Sequence, residues 1–261
     1  MLYIRAGHLE LHGSPRPEDE RVRGLYVAKD GFKGMESQVA MRRTRLEIPN
    51  GHGNYTFAGK LDARSVPLDV WAVTDGDDEL QQLNIEVKSL GARGGSFRTV
   101  FEFRGLELWA DGQIGVGGIQ FVDTGGFGRA RVNIPLDFPN PRLFGETRRA
   151  SIPAVGQSAE ISHEGNFEGH VVATIVGNFP GGVTLADAGG AGVTVSTPVT
   201  GGSEVKVNLA TGWVWKNGVR QLRAVPTMRP FVAPGNTPVQ ITLTAPSGAG
   251  SAELELVDTY N

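Results

Sequence analysis

Leu136-Asp137-Phe138-Pro139-Asn140-Pro141-Arg142-Leu143-Phe144-Gly145 decides how this chain divides. The two prolines on either side of Asn140 lack backbone donors and hold φ near −65°, so neither a strand ladder nor a helix runs through them. The backbone must pass an extended elbow there. Asp, Glu, Lys and Arg number 37 up to Gly145 and 16 after it, so a charge-rich half meets a charge-poor one at the elbow. Two domains are expected, residues 1–145 and 146–261, with Pro139, Asn140, Pro141, Arg142, Phe144 and Gly145 as the inter-domain hinge.

Upstream of the elbow the chain reads mainly as strands. Leu2 and Ile4, then Leu9 and Leu11, alternate with polar neighbours, as do Leu68, Val70 and Ala72, the stretches 97–103 and 106–110, and residues 129–136. Asp30-Gly31 and Asp111-Gly112 are expected as turns, since both dipeptides tolerate positive φ, and residues 49–54 form another. One helix is expected at about 77–90: Leu80, Leu83, Val87 and Leu90 make a single apolar stripe, Asp75 or Asp77 caps it, and Gly91 stops it.

Downstream, Val171/Ala173/Ile175, Val193/Val195, Val205/Val207/Leu209, Val239/Ile241/Leu243 and Leu254/Leu256 alternate between Gly, Asn and Pro turns, the spacing of a β-sandwich or jelly roll. Trp213-Val214-Trp215-Lys216-Asn217-Gly218-Val219-Arg220 is a hairpin with Asn217-Gly218 as its two-residue turn. The fold class is mostly β, with an α+β N-terminal domain carrying the one helix. Its 37 glycines are turns rather than a mark of disorder, because 39% of the chain is apolar.

Reactive chemistry is sparse. Net charge is −3, with 18 basic and 19 acidic residues up to Gly145 and 7 and 9 after it, so neither half carries the footprint of a sequence-specific nucleic-acid binder. The chain has no cysteine, hence no disulfide and no thiolate zinc site. No signal peptide and no membrane-spanning run is expected. Gly53 to Lys60 misses the phosphate-loop spacing by one residue, with Leu61 where a hydroxyl belongs. Gly115-Val116-Gly117-Gly118 has Gln120 at the third glycine of a dinucleotide fingerprint. The acidic run Asp75-Gly76-Asp77-Asp78-Glu79 suits the positive end of a helix better than calcium. His163, Glu164, Glu168 and His170 have metal-ligand chemistry, but a solvated polar loop is the expectation. No Gly-x-Ser-x-Gly elbow and no paired carboxylates stand out, so no catalytic, cofactor or metal residue is assigned and no enzyme is expected. Trp213 and Trp215, two apart, share a strand face and form a possible glycan platform; a buried inner face of the sandwich is the expected alternative.

The order of these features resembles the distal tail protein (Dit) family of long-tailed, non-contractile bacteriophages. The resemblance rests on the turn Pro49-Asn50-Gly51-His52-Gly53 with a strand ending near Gly59, the single helix, Asn140-Pro141-Arg142-Leu143-Phe144-Gly145 closing the first domain, and Ala233-Pro234-Gly235-Asn236 before two final strands. It implies a β-sandwich ring domain that builds a six-membered ring continuing the tail tube, followed by a galectin-like sandwich projecting outward. The implied partners are further copies of the chain, the tail tube protein, the tail-tip hub or tail-associated protein, and the tape-measure protein in the lumen. The implied location is the tip of the phage tail, after synthesis in the host cytoplasm. Two other readings remain open: a carbohydrate-binding tail module recognising host cell-wall glycan, and a cell-wall hydrolase.

Overall fold

The computed structural model describes residues 2–13, 23–33, 35, 39–49, 52, 54–57 and 59–261. Asn50, Gly51 and Gly53 of the turn expected at 49–54 lie outside the described residues. The chain separates into two compact units, Met1–Leu143 with Asn261, and Phe144–Tyr260, so the division falls two residues before the expected one.

The first unit contains β1 (Tyr3–Ala6), β2 (Leu9–His12), β3 (Gly24–Phe32), β4 (Met41–Arg42), β5 (Arg45–Glu47), β6 (Asn54–Thr56), β7 (Lys60–Leu61), β8 (Arg64–Val73), α1 (Asp77–Ser89), β9 (Phe97–Phe103), β10 (Leu106–Ile114), β11 (Gln120–Gly126) and β12 (Arg129–Phe138). Its main sheet runs β11-β12-β8-β3-β2-β1-β9-β10, and β10 pairs back onto β12 through Gln113↔Asp137 and Ile114↔Leu136. That last ladder closes the sheet from β12 round to β10, with β11 paired on one side to β12. Alternation puts Ile4, Leu11, Val66, Leu68, Val70, Ile134 and Leu136 inside with no exposed surface. Phe101 stacks on Phe32 and meets Phe138 edge-on, both at 5.9 Å. Burying each such ring contributes roughly 1.5–3 kcal/mol.

Two of the expected turns are something else. Asp111-Gly112 lies inside β10, and the β9–β10 turn is Arg104-Gly105, at φ 53° and 83°. Gly112 is glycine for packing: a Cβ there would sit 2.6 Å from the Phe138 ring. Asp111 is a cross-strand partner, accepting two hydrogen bonds from Arg98 at 2.9 and 3.1 Å. Asp30-Gly31 is a β-bulge within β3, where the register against β8 shifts between Val27 and Phe32. Asp30 has φ 60°, and a Cβ on Gly31 would collide with the Asp69 carbonyl.

Helix α1 packs on β8 and β12 through Leu80, Leu83 and Val87, and Gly91 follows it at φ 64°. Neither expected aspartate caps it. Gly76 occupies the N-cap in extended conformation, and the Asp77 carboxylate instead accepts the Gly128 N–H at 3.1 Å. A neighbouring strand turn captured the side chain the helix would have used. Strand β4 pairs with β7 and β5 with β6 in two short antiparallel ladders, and Met41, Leu46, Tyr55 and Phe57 are about half exposed.

The second unit contains β13 (Leu143–Ile152), β14 (Ser158–Ile161), β15 (Val171–Asn178), β16 (Val183–Asp187), β17 (Gly192–Val195), β18 (Glu204–Asn208), β19 (Val214–Lys216), β20 (Val219–Gln221), β21 (Thr227–Arg229), β22 (Val239–Thr244) and β23 (Ala249–Tyr260). One sheet is ordered β13-β23-β15-β18-β19-β20 and the other β14-β22-β16-β17-β21. The valines, leucines and isoleucines whose alternation marks the sequence fill the space between them, with Phe179, Ile175 and Leu185 fully buried. This is a sandwich of two antiparallel sheets.

Candidate functional site

The outer face of the β13-to-β20 sheet brings Trp213 and Trp215 together with a row of charged side chains. Val207↔Val214 pairing turns Val214 inward, at 1% exposure, and strand alternation then turns Trp213 and Trp215 outward. Trp213 is 50% exposed and Trp215 is partly buried, so the expected burial fails for Trp213. The reason is local: Val214 takes the core position, and β19–β20 is the sheet's edge hairpin. The two indoles meet edge-on at 6.1 Å, and the Arg220 guanidinium stacks 4.3 Å over Trp213. Asn217 and Gly218, at φ 49° and 79°, form the tight turn between them.

Register carries this face across the sheet. Arg220 pairs with Trp215, Trp215 with Lys206, Lys206 with Thr174, and Thr174 with Glu253. Arg149 of β13 ends the row, 3.7 Å from Glu253 and 3.0 Å from Glu255. Lys206 lies 3.4 Å from Glu204. A depression of about 430 Å³ lies among Arg149, Ser151, Thr174, Val176, Ser251 and Glu253. Sequence reasoning found the tryptophans by their spacing but not the rest, because Arg149, Thr174, Lys206 and Glu253 become neighbours only through strand order.

The residues expected as a hinge fall in and just after a short turn. β12 ends at the buried Phe138 and β13 begins at Leu143, so only Pro139, Asn140, Pro141 and Arg142 lie between strands, while Phe144 and Gly145 belong to β13. Asn140 accepts the Arg142 N–H through its side chain at 3.3 Å. Arg64, only 3% exposed, donates to the carbonyls of Pro141 and Met35 at 3.1 and 3.2 Å. Burial draws its guanidinium below the usual arginine pKa.

The polar stretch at 163–170 is a loop with Glu164 and Glu168 exposed, as expected, with one exception. His163 is 2% exposed, and its Nδ1 accepts the Gly165 and Thr259 N–H groups at 3.2 and 3.4 Å, which leaves the proton on Nε2. Beside it Asp258, 3% exposed, accepts Arg148 through both carboxylate oxygens, at 3.4 and 3.1 Å, and the Glu164 N–H at 3.1 Å. That charge-assisted fork raises the Arg148 pKa, with Glu146 and Glu164 adding to it. Among the described residues no three His, Asp or Glu side chains converge as metal ligands. Arg148 and Asp258 are 110 residues apart, and no spacing pattern announces them.

No protein-family model matches the chain, and no curated protein does. Among solved structures, the SPP1 Dit protein superposes with TM-score 0.68 and 12% identity, over 89% of this chain and 95% of its own. The chain has the Dit fold. SPP1 Dit is described as a paradigm of the hub adsorption apparatus in phages that infect Gram-positive bacteria. Structures of the activated phage P2 baseplate with Ca and with Sr also match, each at TM-score 0.48 and 10% identity, over 89% and 97% of this chain and 90% and 97% of theirs. Likeness at that level adds nothing to the assignment. Among the described residues no helix is long and apolar enough to cross a membrane.

Proposed function

We propose that the protein is a structural component of the tip of a long, non-contractile phage tail. Its first unit builds a six-fold ring that joins the tail tube to the baseplate hub. The observation that supports this best is the extent of the Dit likeness: both units, in order, over 89% of this chain and 95% of SPP1 Dit. A second observation points to assembly. The ladders β4–β7 and β5–β6 leave Met41, Leu46, Tyr55 and Phe57 between 45% and 53% exposed, and the cross-strand pair Leu46 and Tyr55 is an apolar surface of the kind that marks an interaction site.

The work such a protein does is positioning, not catalysis. A ring needs one patch of each copy to fit another patch of the next, and the closed sheet of the first unit gives a rigid body on which to hold both. The charge-dense first unit suits register set by complementary charges. The tail tube protein would sit on one side of the ring and the hub on the other, with the tape-measure protein in the lumen. Negative-stain imaging of the purified protein, alone and mixed with the tail tube protein, tests this. Rings with six-fold averages are expected; particles of single-chain size in both samples would refute it.

A further inference from the structure

We infer that the outer face of the β13-to-β20 sheet is a binding site for an uncharged, hydroxyl-rich oligosaccharide. The inference goes beyond the tail-tip role and does not depend on ring formation. Three features of the face carry it.

The first is aromatic. Trp213 and Trp215 stand outward at one end of the row, and Trp213 is half exposed. Arg220 already lies against one face of Trp213, so Trp215, in register with Lys206, is the ring that leads into the row. An exposed indole offers the C–H groups of a pyranose an apolar, electron-rich surface that costs little ordering entropy.

The second is polar, and it selects the ligand's charge. Arg149, Lys206 and Arg220 are set against Glu204, Glu253 and Glu255, so the face carries three cations and three carboxylates and has no net charge. A polyanion would find no excess positive potential here and a polycation no excess negative. Interspersed with these groups are the short hydroxyls of Ser151, Thr174 and Ser251. Donors and acceptors alternating over a neutral surface match a chain of hydroxyl groups, each of which both donates and accepts.

The third is shape. The depression of about 430 Å³ falls within the ordinary range of small-ligand sites. With strands ~4.8 Å apart, the four spacings from Trp215 on β19 to Arg149 on β13 set Trp215 and the depression on one continuous path of roughly 19 Å. That is the reach of an oligosaccharide rather than of one sugar. A protein partner fits less well, since the outward apolar residues Val172, Val176 and Val257 are interspersed with Thr174, Glu253 and Glu255, without the packed apolar centre of a protein interface.

The test is isothermal titration calorimetry of the full chain with maltotetraose, cellotetraose and tetra-N-acetylchitotetraose, and with polygalacturonate as the anionic probe. At least one neutral tetrasaccharide is expected to bind with a dissociation constant on the order of 10⁻⁴ M. Trp215→Ala should weaken it at least tenfold and Lys206→Ala several-fold; Lys206 is exposed on the outer face, so its variant keeps the fold. Raising NaCl from about 50 to 500 mM should change the affinity less than twofold, because the ligand carries no charge to screen. Silence with all three neutral sugars, binding of polygalacturonate alone, or an affinity unmoved by both substitutions would each overturn the inference. A preparation that binds sugar but forms no ring would leave this site standing and remove the tail-tip reading.

Discussion

Removing Arg148 should destabilise the second unit far more than removing its partner's charge. Asp258 is 3% exposed while the Arg148 side chain is 32% exposed, so the two halves of the pair depend on each other unequally. In Arg148→Ala the Asp258 carboxylate loses both guanidinium bonds and keeps the Glu164 N–H. Losing one partner of a fully buried pair costs about 3–5 kcal/mol, and the partial exposure of Arg148 reduces that here to about 2–3 kcal/mol. In Asp258→Asn the shape and the acceptor for Glu164 persist, and Arg148 still has Glu164 at 3.1 Å and Glu146 at 3.5 Å. That change should cost about 1 kcal/mol. The double substitution should cost less than the sum of the two, by about 1 kcal/mol or more, because the second change removes the charge that the first had stranded. Urea unfolding read by hydrogen exchange in residues 171–178 reports the second unit by itself. If Arg148→Ala costs no more than loss of an exposed ion pair, under about 1 kcal/mol, the buried carboxylate does not depend on this arginine and the reasoning fails.

Other substitutions probe the first unit and its assembly. Gly112→Val should lower thermal stability by about 3 kcal/mol or more, since its Cβ meets the Phe138 ring, whereas Gly105→Ala, with open space around it but φ 83°, should cost about 1–2 kcal/mol by calorimetry. Leu46→Asp with Tyr55→Asp, both on exposed strand positions, should leave circular dichroism unchanged and shift assembled protein to single chains in sedimentation velocity. Replacing Pro139 and Pro141 with glycine should keep both units folded and the ring intact but speed proteolytic cutting at residues 139–142; loss of the ring would place the boundary elsewhere.

The strands were legible wherever one face is buried and the other wet, as at 171–175 and 205–209, because the period of two is imposed by the pleat itself. The helix was legible because its stripe faces one surface and Gly91 ends it. Glycine was the residue most easily misread. Gly112 and Gly31 serve close packing against Phe138 and the Asp69 carbonyl, and Gly105 and Gly218 serve turns, yet all four look alike beside a polar neighbour. The side of the sheet that Trp213 and Trp215 occupy was hidden for a related reason. Alternation says that they share a face, but only the pairing of Val214 with Val207 says which face is the core. Buried polar partners such as Arg148 and Asp258 leave no local trace, since the sequence separates what the strand order joins.

The central claim is that this chain assembles, and native mass spectrometry of the purified protein tests it most directly. The ring account predicts a species of six chains, each 27.8 kDa, either alone or on addition of the tail tube protein. A single chain at every concentration, with and without that partner, would contradict it.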